Sequence, residues 1–103
     1  MSFRLPQNLK TMLGPEDGLG EFNREVLAEK ASSLGRAGRA LERSLVALAA
    51  CEDPDERPAL VKAAARAAHH YFIQQELCGL RDHSFAIAHY AIPREVMAQI
   101  GAS

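Results

Sequence analysis

Residues 27–48 read LAEKASSLGRAGRALERSLVAL. Leu27, Leu34, Leu41 and Leu48 recur at a strict heptad spacing, and Ala31, Gly38 and Leu45 occupy the alternate core positions between them. That 3-4 alternation marks one continuous helical face of the coiled-coil type. Gly35 and Gly38 each cost a helix interior roughly 1 kcal/mol relative to alanine. The repeat nevertheless keeps its phase across both, so the spacing predicts a single helix over about 21–51. Glu25, Glu29, Arg36, Arg39 and Arg43 fall opposite the leucine stripe, as a solvated face requires.

Outward from this helix, EDPDERP at 52–58 is a stop and restart. Asp53 or Asp55 is expected to cap the next helix, and Pro58 is tolerated in its first turn. The second helix is predicted over about 56–78, with Gly79 closing it. A third runs over about 82–90 and a fourth over about 93–100, ending before Gly101. Upstream, Leu5, Leu9, Met12 and Leu13 predict a short amphipathic helix over 3–13, followed by a turn-rich linker, GPEDGLG, at 14–20. The expected fold is all-α: a long antiparallel helical hairpin (about 21–51 and 56–78) capped by two short C-terminal helices and a short N-terminal helix. One domain is expected over 1–103, comprising N-terminal helix and linker (1–20), hairpin (21–78) and C-terminal helices (80–103).

A short connection makes the hairpin antiparallel, and equal rise per residue then sets its register. With the turn centred near residues 54 and 55, facing residues have numbers summing to about 109. Leu48 faces Val61, Leu45 faces Ala64, and Leu41 faces Ala68. Gly38 faces Tyr71, Leu34 faces Gln75, and Ala31 faces Cys78. Large thus meets small, as dense interiors require. The residues expected to carry this packing are Gly38, Tyr71, Leu27, Leu34, Leu41, Leu45, Leu48, Ala64 and Ala68. Gly35 lies on the flank, suited to a close approach by a third helix or a partner. Phe22, Val26, Phe72, Ile73 and Leu77 gather at the open end of the hairpin, and the C-terminal helices are expected to fold back over them.

The 103 residues carry a net charge near −1, with 48% hydrophobic and 24% charged side chains. This is globular composition, with no field to draw nucleic acid or an anionic membrane. The longest apolar run, LVALAAC at 45–51, is far short of a membrane span. No secretory h-region is visible near the N-terminus, so a cytoplasmic location is expected.

Four histidines invite a metal hypothesis, but none lies three or four residues from another, and no Glu-x-x-His occurs. No metal and no cofactor is therefore expected; the residues best able to assemble such a site from different helices are His70, Glu76 and His83. Asp82, His83 and Ser84 are consecutive and diverge by about 100° each on a helix, so they form no relay. No catalytic residue is assigned, and Cys78 is expected to pack as a small hydrophobe. Cys51 and Cys78 lie at opposite ends of the hairpin and are expected to stay reduced.

The stretch CGLRDHSFAIAHYAIPREVMAQIGA, and within it CGLRDH and the helix start Ile-Pro-Arg-Glu-Val, resembles part of a family of small bacterial all-helical proteins classed as a domain of unknown function. The resemblance implies a bacterial cytoplasmic protein and brings no activity or site residue with it. The function expected from the residues is non-enzymatic: a helical module that self-associates as a homodimer, helped by the overhang of its first long helix, and binds an unidentified protein partner. The alternative is a ligand- or metal-binding bundle, or an enzyme, using His70, Glu76, Arg81 and His83.

Overall fold

The structure, a computed structural model, describes residues 17–101, with side chains from Asn23 onward. The expected helix over 3–13 lies outside the described residues. Among the described residues the chain forms four helices in order: α1 (Asp17–Ala49), α2 (Arg57–Leu77), α3 (Ser84–His89) and α4 (Arg94–Gln99). The architecture is all-α, built on packing of α1 against α2.

α1 begins at Asp17, inside the stretch assigned to a linker. Gly18 and Gly20 suggested a break, but each costs only about 1 kcal/mol in a helix. The α1–α2 connection also differs from expectation. Neither Asp53 nor Asp55 caps α2; its N-cap is Glu56, without a side-chain capping bond. Asp53 instead closes the turn, its Oδ1 accepting the Asp55 N–H at 2.9 Å. Pro58 sits in the first turn of α2, where its missing N–H costs nothing.

The main core joins Leu41 and Leu48 of α1 to Val61, Ala64, Ala65, Ala68 and Phe72 of α2, with Ala86, Ile92 and Val96 from the C-terminal segment. Leu45 packs on it while partly buried. A smaller cluster of Leu34 and Cys78, flanked by Leu27, Tyr71 and Leu80, lies towards the open end. Alanines on α2 let α1 approach closely, so leucines on one helix fill the shallow face of the other.

Two left-handed stops turn the chain after α2 and α3. At Gly79 (φ +85°) the Leu80 N–H donates to the Gln75 carbonyl at 2.8 Å and the Gly79 N–H to Glu76 at 2.9 Å. This is the Schellman bonding pattern. The same pattern recurs at Ala91 (φ +51°): Ile92 donates to Ile87 at 3.1 Å and Ala91 to Ala88 at 3.2 Å.

These turns meet one expectation only in part. The C-terminal segment covers Phe72 but leaves Val26, Ile73 and Leu77 at the open end exposed. α3 and α4 run back along α2 towards its start, where Arg57 of α2 pairs with Glu95 of α4. Phe85, expected to cover apolar surface, is itself 77% exposed and stacks on His89 with ring centroids 5.6 Å apart.

Candidate functional site

Two constellations bring together residues that are distant in sequence. The first is a notch in α1. A Cβ built on Gly38 would lie 3.2 Å from Tyr71 Cε1 and 2.7 Å from the Tyr90 hydroxyl. Tyr71 and Tyr90 meet edge to face, their centroids 5.4 Å apart at 79°. Burial, and then the neighbouring Tyr90 hydroxyl, push the Tyr71 phenol up to about 12. Gly38 is thus opposed by two tyrosines, of which sequence reasoning found Tyr71 and missed Tyr90. Tyr90 arrives through the Gly79 turn, whose geometry no helical periodicity reveals. At Gly35, by contrast, an added Cβ would meet only Arg39 Nη1, at 3.4 Å. The close approach of a third helix expected there is absent among the described residues.

The second constellation surrounds His83. Its Nδ1 lies 2.8 Å from Gln75 Oε1 and its Nε2 lies 3.1 Å from Glu76 Oε2. The ring also stacks on Phe72, at 4.4 Å and 24°. Of the residues singled out for a ligand site, Glu76 and His83 therefore meet, whereas His70 and Arg81 are exposed and join neither. The sequence did carry a signal for Gln75, a polar residue on the apolar stripe of α2. A buried amide must find a partner, and the reversal at Gly79 brings His83 to it.

No group of three or more His, Cys, Asp or Glu side chains suited to a metal occurs among the described residues. Cys78 is buried, with Sγ 3.8 Å from the Lys30 carbonyl, and burial pushes its thiol up, away from the nucleophilic thiolate. Cys51 and Cys78 are both free thiols. An open cleft of about 530 Å³ lies near the closed end, between Leu45, Val46, Arg57, His89, Tyr90 and Pro93. Glu42 also lines it, and His83 does not. No helix among the described residues is long and apolar enough to cross a membrane.

Comparison with known proteins places this chain. Residues 1–103 match a family described as a family of unknown function, DUF6665. The chain belongs to DUF6665. The match spans the hairpin as well as the C-terminal quarter on which the resemblance in sequence rested. No curated protein and no solved structure matches the chain. For this DUF6665 member, function must therefore be argued from its own geometry.

Proposed function

We propose that this protein is a non-enzymatic helical module that self-associates, as a homodimer, and works by binding another protein in the bacterial cytoplasm. The observation that carries the reading is the state of the hairpin's open end. Cys78, just past α2, lies beside Lys30 of α1, and Leu27 still packs on its cluster, so residues 17–26 of α1 continue beyond it. That is an overhang of about 15 Å at the helical rise. The C-terminal helices turn the other way, leaving Val26 37%, Ile73 41% and Leu77 54% exposed. Ile73 and Leu77 are one turn apart on α2 and leave about half of their surface open among the described residues, the kind of surface that association buries. Two free thiols suit a reducing compartment.

The competing reading, a ligand- or metal-binding bundle built on His70, Glu76, Arg81 and His83, has less support, because only two of those residues converge. Size-exclusion chromatography with light scattering at high micromolar concentration tests the first reading. A dimer is expected for the natural chain, and an Ile73→Glu/Leu77→Glu variant should shift towards monomer. A natural chain that remains monomeric sinks the proposal.

A further inference from the structure

His83 is held more firmly than a surface histidine needs to be. It precedes the six residues of α3, and its own carbonyl accepts the Ile87 N–H at 3.0 Å. Its ring closes the segment after Gly79 onto the last turns of α2 through three contacts, with Gln75, Glu76 and Phe72. The two polar partners are both oxygens. Glu76 is a carboxylate and accepts only; Oε1 is the accepting end of the Gln75 amide. A neutral imidazole carries one N–H, so it can satisfy one of these oxygens while its other nitrogen turns a lone pair on the second. An imidazolium carries two N–H groups and satisfies both.

We propose that His83 is a proton-operated latch, closed by the imidazolium through Gln75 and Glu76 and loosened when the ring becomes neutral. The charged groups around it are few. Glu76 faces the ring from α2, and His69 lies on the same side of that helix, one turn before Phe72. Arg81 and Asp82 flank it on its own segment. The Asp82 carboxyl is held below the usual range, chiefly by the Ser84 N–H and hydroxyl and to a smaller extent by the His83 charge. Lys30 of α1 accepts from Cys78 through its backbone carbonyl and makes no contact with the ring among those the structure shows. Arg94 and Glu95 of α4 are at the far end of the fold, where Glu95 pairs with Arg57.

Loosening the latch has a defined structural result. The imidazole is stacked over Phe72, a core residue that is 8% exposed. Freeing the ring uncovers the stacked face of Phe72 and releases the start of α3. Opening does not depend on self-association, because every group in the latch belongs to one chain.

The test is a pH titration of the full chain by NMR, following the His83 ring nitrogens alongside the Ile87–Tyr90 amides, the ones α3 itself bonds. Exchange rates are corrected for intrinsic base catalysis. On the acid side of the ring's own titration both nitrogens should be protonated and the α3 amides protected. On the alkaline side protection should fall roughly tenfold, the scale of one charge-assisted hydrogen bond. Glu76→Gln should shrink that change, and His83→Gln should abolish it while the remaining fold keeps its protection. Equal α3 protection on both sides of the ring's titration overturns the latch. So does a neutral ring that accepts from a rotated Gln75 amide throughout. The titration of the natural chain decides between these outcomes even where a variant does not fold.

Discussion

Gly38→Ala and Gly35→Ala make the same chemical change in the same helix, three residues apart, and should not change stability equally. Alanine improves helix propensity by about 1 kcal/mol at either site. At Gly35 nothing opposes the gain. The nearest atom to the new methyl is Arg39 Nη1 at 3.4 Å, the tip of a flexible, exposed side chain. Gly35→Ala should therefore stabilise by about 1 kcal/mol, or roughly 4–8 °C in Tm for a chain of this size. At Gly38 the methyl would sit 2.7 Å from the Tyr90 hydroxyl and 3.2 Å from Tyr71 Cε1. The two rings are packed edge to face, so a shift of one disturbs the other. Overpacking of this kind costs about 1–3 kcal/mol. Because the propensity gain is common to both variants, their difference isolates the crowding, and Gly38→Ala should be about 1–3 kcal/mol less stable than Gly35→Ala. Denaturant unfolding followed by far-UV circular dichroism measures both. Tyr90→Phe removes the atom at 2.7 Å, so in that background the deficit should largely close, leaving the milder Tyr71 contact. Equal stabilisation by the two alanines would refute the notch, and a deficit unchanged by Tyr90→Phe would exonerate the hydroxyl.

Two further outcomes are expected from the turns and the tyrosine pair. Ala91 holds a left-handed φ that costs a residue with a Cβ about 1–2 kcal/mol; after the greater flexibility of unfolded glycine is set against this, Ala91→Gly should stabilise by about 0.5–1 kcal/mol in the same unfolding assay, and a loss of stability would count against the assignment. The folded value of Tyr71, about 12, lies above the unfolded value of roughly 10. Its stabilisation is thus complete below about pH 10 and lost as pH rises through about 12. Ultraviolet titration of Tyr71→Phe against the natural chain should identify a late-ionising phenol, and a Tyr71 that ionises in the folded chain at the unfolded value disproves the assignment.

How far the sequence could be read depended on which interactions are periodic. The heptad of Leu27, Leu34, Leu41 and Leu48 and the alanine-rich face of α2 report their own burial, because a helix returns each residue to the same side every turn or two. The all-α hairpin was therefore legible, as was the proximity of Gly38 to Tyr71. The chain beyond Gly79 has no such periodicity. α3 and α4 are six residues each, too short to display a stripe, and their direction depends on two left-handed residues. Gly79 announces such a residue; Ala91 conceals one. The same gap hid Tyr90, and it made Phe85 look like a cover when it is exposed. The pairing of His83 with Gln75 and Glu76 was half visible. Both α2 residues could be placed, but their partner is delivered by the turn.

The two turns also show how local and tertiary forces divide the work. Both make the same pair of capping bonds, yet one uses glycine, which adopts positive φ freely, and the other alanine, which does not. A bonding pattern that is equally good in both cannot account for the strained one. The difference lies in the next residue along the chain. Leu80, after Gly79, is a partly buried member of the small cluster. Ile92, after Ala91, is in the main core, and Pro93 behind it cannot continue a helix. Burying an isoleucine is worth about 1.5–3 kcal/mol, enough to offset the left-handed penalty at Ala91. The core therefore holds the second turn in place, whereas glycine relieves the first of backbone strain. Weakening the core at Ile92 should accordingly release the Ala91 turn and, with it, the course of α4 back towards Arg57. The Gly79 turn should survive the same change.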